Sequence, residues 1–158
     1  GLIPPAASLT ANGHALFQEF SRSASALMMD EQRQKLFAAL GDSLVSFSYA
    51  MPRGTAAGSQ GFDDVLRSPK GIAWDEVNTR LLVVDSRDCV VQSVDVFGAG
   101  AMEVLVGSVG LASDSGDGGP SVAASLLYPA GIALDPTGNV IYVSTGGHRI
   151  RRVELTAG

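Results

Sequence analysis

The chain has 158 residues, 46% of them hydrophobic and 17% charged, a globular composition that excludes a low-complexity polymer. A net charge of −5 argues against a general nucleic-acid binder, and a single cysteine, Cys89, excludes a disulfide-stapled mini-domain. Glycine is abundant at 19 residues and proline adds 7, so many turns are expected.

Residues 1–13 (GLIPPAASLTANG) carry no charged region and no long apolar core. They are expected to form a flexible tail and do not resemble a signal peptide. No later run approaches the ~18 apolar residues of a transmembrane helix, so no membrane span is expected. Residues 15–20 (ALFQEF) then read as a strand.

A pattern follows three times, over residues 24–47, 69–94 and 129–153. Each copy opens with two apolar residues spaced by two: Leu27 and Met29, Ile72 and Trp74, Ile132 and Leu134. That spacing puts both on one face of a strand, and Met29 and Trp74, at equivalent positions, are expected in the core. An aspartate comes next (Asp30, Asp75, Asp135), then a polar turn. A second strand follows as LFAA, LLVV or VIYV, apolar on both faces as a buried strand should be. A third strand closes each copy as SLVSF, VVQSV or RIRRV. The first copy has good helix formers, but it aligns with two copies whose β character is clear, so it is read as strand.

The intervening stretches 54–66 and 102–107 also read as strands. The expected unit is therefore four strands, an outer one followed by three inner ones, over about residues 15–50, 54–97 and 102–155. A short helix is expected within 121–127, between Pro120 and Pro129.

Residues 116–153 carry a GDGGP loop, Tyr-Pro-x-Gly-Ile-Ala-x-Asp, a Gly-Asn turn and His-Arg-Ile-Arg-Arg-Val. This stretch strongly resembles an NHL repeat, the family that builds β-propeller blades. The second copy matches more loosely through PKGIAWDEVNTRLLVVDS, and the first only through the register set by the others. Where the family carries its eponymous asparagine, Gly147 stands before His148. The resemblance implies an all-β fold of three four-stranded antiparallel NHL-like blades, half of a six-bladed ring. Blades need neighbours on both sides, and closed rings have typically 4–8 of them. A second copy or further blades would complete the ring.

In such blades the outer-to-inner connection and the second-to-third turn lie at one end. Asp85, Arg87, Asp88, Asp114, Asp117, His148 and Arg149 are therefore expected to share a binding face. The plainer reading of Asp114 and Asp117 is a glycine-rich turn, because SDSGDGGP lacks the acidic series of a calcium loop. His14 and His148 are the only histidines, too few for a three-ligand catalytic zinc site in one copy. Arg149, Arg151 and Arg152 form a basic cluster with His148, the local support for RNA binding. Its plainer reading is a solvated strand with cross-strand ion pairs. Cys89 is read as an inert, half-buried thiol, since Asp85 and Asp88 offset Arg87. No serine-nucleophile elbow, phosphate loop or dinucleotide fingerprint occurs.

No catalytic residue, metal ligand or cofactor is assigned. The resemblance implies a non-enzymatic scaffold module that binds a protein or peptide. The alternative is part of a propeller lyase or hydrolase with a channel metal, and the third reading is an RNA-binding face. Nucleic acid is disfavoured by the acidic balance, and a homodimer is one way to close the ring.

Overall fold

The computed structural model describes residues 24–33, 35–48, 57–62, 66–97 and 101–155. The expected tail 1–13, His14 and the strand at 15–20 lie outside them. The described residues form three antiparallel sheets. The first runs β1 (Ala24–Asp30), β2 (Lys35–Leu40), β3 (Ser43–Ser48) and β4 (Ala57–Phe62). The second runs β5 (Pro69–Asp75), β6 (Arg80–Asp85), β7 (Val90–Val94) and β8 (Met102–Val106). The third holds β9 (Ile132–Leu134), β10 (Val140–Thr145) and β11 (Arg149–Glu154).

Two expectations change here. The strands expected to open the second and third units instead close the first and second sheets, as β4 on β3 and β8 on β7. The reason is local: a short connection lets an antiparallel strand fold back on its predecessor, whereas joining the next sheet needs a crossing. The helix expected within 121–127 is only a 3-10 turn, Ser121–Ala123. Ala124 leaves it with extended backbone, and Ser125 then bridges to Ser115.

The repeated aspartates fix the first turn of each sheet. Asp75 accepts from the Asn78 amide and side chain and from Arg80 Nε at 2.9 Å. Asp30 accepts from the Arg33 amide and guanidinium. Asp135 accepts from the Thr137 hydroxyl at 2.6 Å and from the amides of Asn139 and Val140. The Thr137 hydroxyl, then the Val140 amide, hold the Asp135 carboxyl below the usual carboxylate range. These turns are short, so backbone amides would otherwise lack acceptors.

The middle sheet is covered on both faces. Ile72, Leu81, Val83, Val94 and Val96 pack with Phe37, Ala39 and Leu44 of the first sheet. Ala73, Leu82, Val84, Val91 and Val106 pack with Leu126, Ile141 and Val143 on the other side. The run LLVV in β6 is thus apolar on both faces because each face meets a different sheet. The sheets meet closely along their first strands. Ser25 donates to the Pro69 carbonyl at 2.6 Å, and a Cβ on Gly71 would stand 2.5 Å from the Ala130 carbonyl oxygen.

An aromatic and cationic cluster closes the first seam. Phe37 stacks on Trp74 at 6.0 Å, and Phe97 meets Trp74 edge-on at 5.7 Å. The Arg33 guanidinium sits 5.4 Å from the Trp74 ring centre and 5.3 Å from that of Phe97. It also pairs with Asp30 at 3.2 Å. The core expectation fails at Met29, which is exposed together with Leu27 on the same face. They face away from the second sheet, on the outer side of the first.

Candidate functional site

Two of the expected binding residues, Asp114 and Asp117, lie on the long connection 107–131 between β8 and β9. That connection packs on the β6–β7 turn (86–89) and the β10–β11 turn (146–148). The Gly110 amide donates to the Asp88 carbonyl at 2.8 Å, and Gly107 lies against the Cys89 carbonyl, leaving no room for a Cβ. At the other turn, the Gly146 amide donates to the Leu127 carbonyl, and the Asp114 carboxylate lies directly over Gly147.

The seven residues have different roles. Asp85 is fully buried and accepts from four amides: Arg67 at 2.6 Å and Ser68, Arg87 and Asp88 at 3.1 Å. It shapes the turn from inside and presents nothing to solvent. Asp88 is mostly covered and pairs with Arg67 Nε at 3.4 Å. Asp114 is also mostly covered. It pairs with Arg151 at 3.6 Å, accepts the Thr145 hydroxyl at 3.1 Å and accepts the Leu127 amide at 3.3 Å. Asp117 is exposed but rests on the Arg151 guanidinium. Arg87 and His148 are exposed in the turns, and Arg149 is exposed at the start of β11.

Arg151 was expected in an exposed basic cluster, and the structure corrects this. Its side chain is largely buried and donates to the carbonyls of Ser125 at 3.2 Å and Ser115 at 3.4 Å, besides binding Asp114 and Asp117. Arg152 is paired with Glu154 at 2.8 Å. Two of the three arginines thus have carboxylate partners within the chain, so little net positive charge faces outward. The partners of Arg151 lie 34 and 37 residues upstream, beyond the reach of any local strand pattern.

The two turns share a left-handed residue with the β5–β6 turn, where Thr79 has a φ of 53°. Cys89 and His148 each end a turn with positive φ, 60° and 57°. His tolerates this region better than most residues. Cys89 is fully rather than half buried, with Sγ 3.6 Å from the Ser86 carbonyl oxygen. Burial in that turn removes it from solvent, in keeping with an inert thiol.

A feature outside the sequence expectations is an exposed apolar set on the same connection: Val109, Leu111, Val122 and Tyr128. Tyr128 has a φ of 43°, a costly conformation for a bulky residue, immediately before Pro129. The connection holding these side chains is tied at both ends. The Gly107 amide donates to Ser121, the Ser108 hydroxyl to Val122 and Ala124, and the Ser115 and Ser125 hydroxyls meet at 2.8 Å. Leu126 is fully buried between the second and third sheets. No periodic signal marks this surface in the sequence, because residues 112–121 (ASDSGDGGPS) carry no large apolar side chain.

Among the described residues, no group of three or more His, Cys, Asp or Glu side chains stands close enough together to hold a metal ion. No described helix is long and apolar enough to cross a membrane.

No protein-family model matches the chain, and no curated protein matches it. Solved structures do. One is an auxiliary nutrient binding protein from Bacteroides thetaiotaomicron, 12% identical, with a TM-score of 0.61 over 87% of this chain and 38% of that one. Another is a nidogen/laminin complex, 20% identical, with a TM-score of 0.58 over 85% of this chain and 45% of that one. A third is a virginiamycin B lyase from Staphylococcus aureus, 11% identical, with a TM-score of 0.50 over 89% and 44%. The chain spans less than half the length of each. These neighbours are β-propeller-like proteins, so this chain shares a propeller-like, all-β architecture.

Proposed function

We propose that this chain is a non-enzymatic protein-interaction module of NHL-repeat β-propeller type, which binds a protein or peptide on the 107–131 face. The three sheets act as blades of a ring. The observation that carries the reading is a fixed loop with exposed apolar side chains. Val109, Leu111, Val122 and Tyr128 are presented by a connection that Leu126, Arg151 and Asp114 hold in place. Surface apolar side chains on a preorganised loop cost little ordering entropy when a partner covers them.

The charged residues at the rim, Arg87, Asp117, His148 and Arg149, supply polar contacts around that apolar centre. The NHL register supports the reading through the GDGGP loop and through the repeated aspartate turns. One similar structure is itself a nidogen/laminin complex, which favours a protein partner over RNA. The internal pairing of Arg151 and Arg152 points the same way.

The test is selection of peptides from a displayed random library on the purified chain. Enriched peptides should bind in the micromolar range or better. Leu111→Ser and Tyr128→Ser, both at exposed positions, should weaken them at least ~10-fold with the fold intact, as loss of a central interface contact does. Peptides that bind both variants as well as the parent would place the site elsewhere.

A further inference from the structure

The hydrogen-bond registers give a residue-by-residue equivalence between the sheets. Trp74 pairs with Leu81, Ala73 with Leu82, and Ile72 with Val83. Leu134 pairs with Ile141, Ala133 with Tyr142, and Ile132 with Val143. Tyr142 therefore stands where Leu82 stands, and by the next pairing Ile150 stands where Val91 stands. Leu82 and Val91 are 0% exposed, whereas Tyr142 is 42% and Ile150 70% exposed. The third sheet thus leaves open the face that the second sheet covers with a neighbour.

The first sheet leaves open the opposite face. Its register matches Leu27 to Ile72 and Met29 to Trp74. Ile72 is 7% exposed against the first sheet, while Leu27 is 64% and Met29 51% exposed. The two open faces are consequently of the two kinds that already pack together inside the chain, once between the first and second sheets and once between the second and third.

We propose that a second copy of this chain docks the Leu27–Met29 face of its first sheet onto the Tyr142–Ile150 face of the third sheet. The contact continues the internal seam across molecules. Because each copy has one face of each kind, two such contacts related by a two-fold axis close a ring of six sheets. The glycine pattern fits the same geometry. A Cβ on Gly71 would strike the Ala130 backbone across a seam, whereas one on the equivalent Gly131 would meet only Ser144 of its own sheet. Gly131 therefore holds open the close approach that a docked strand needs.

Sedimentation equilibrium of the 158-residue chain tests this. The expected mass is twice 16.3 kDa at tens of micromolar. Ile150→Glu and, separately, Leu27→Glu should each return the monomer mass, with far-UV circular dichroism unchanged because both sites are exposed within one copy. An equimolar mixture of the two variants should regain part of the dimer, since one of its two contacts is intact. A monomer at ~100 μM overturns the proposal. So does a dimer insensitive to either variant, or one sensitive to Ile150→Glu alone, which would mean that third sheets pack on each other.

Discussion

The second and third sheets follow one pattern and one register, yet they live in different surroundings. The second has a neighbour on each face and buries every residue of β6 from Leu81 to Asp85. The third has a neighbour on one face, and β10 alternates buried Ile141 and Val143 with exposed Tyr142. Equivalent positions therefore carry different energetic weight. Burial is a property of the stack, and a single repeat cannot supply it.

The sharpest way to break this comparison is a matched pair of truncations. Leu82→Ala should cost about 2–5 kcal/mol, as expected for a fully buried leucine. Tyr142→Ala at the equivalent place should cost under about 1 kcal/mol when measured on the dilute single chain. Urea unfolding monitored by circular dichroism gives both values. Equal losses would mean that the third sheet's outer face is covered within one copy.

Next in size is the buried ion pair that ties the 107–131 connection to the third sheet. Arg151→Met leaves Asp114 largely buried without its cation, and should destabilise by about 2–4 kcal/mol. The same variant should loosen the loop and weaken peptides selected on it. Arg152→Met, at the exposed pair with Glu154, should change stability far less than Arg151→Met.

A second matched pair probes the seams directly. Gly71→Ala puts a Cβ 2.5 Å from the Ala130 backbone oxygen just before β9, so the seam must shift, at about 1–3 kcal/mol. Gly131→Ala meets only a side-chain hydroxyl at 3.0 Å and should cost less in the single chain. Thermal melts of the two variants side by side would show the ordering.

The smallest expected effect is a pH dependence. The folded state depresses the Asp135 carboxyl through the Thr137 hydroxyl and the Val140 amide. Its contribution is therefore complete above the unfolded value near ~4 and is lost as pH falls through the lower folded value. Asp135→Asn should lower stability at neutral pH and flatten the acid limb of a stability–pH curve. An acid limb as steep as the parent's would assign it to other carboxylates.

The inner strands were legible in the sequence because period-two apolar pairs and doubly apolar runs have few other physical meanings. The order of strands was not. A strand placed between two triplets can pair with either, and β8 joined β7 through a local return. Arg151 was misread because its partners, Asp114 and Asp117, meet it only in three dimensions. Met29 was misread for a different reason: it has core character, but no other sheet among the described residues covers its face. The GDGGP segment was recognised as a turn-rich loop, while the exposure of Tyr128 depends on a positive φ that composition does not reveal.

The most direct measurement of the central comparison is amide hydrogen exchange of β6 and β10 at two protein concentrations. The account predicts that β6 is strongly protected at both, and that β10 gains protection as concentration rises and its open face is covered. Exchange in β10 that ignores concentration, or that matches β6 at high dilution, would contradict it.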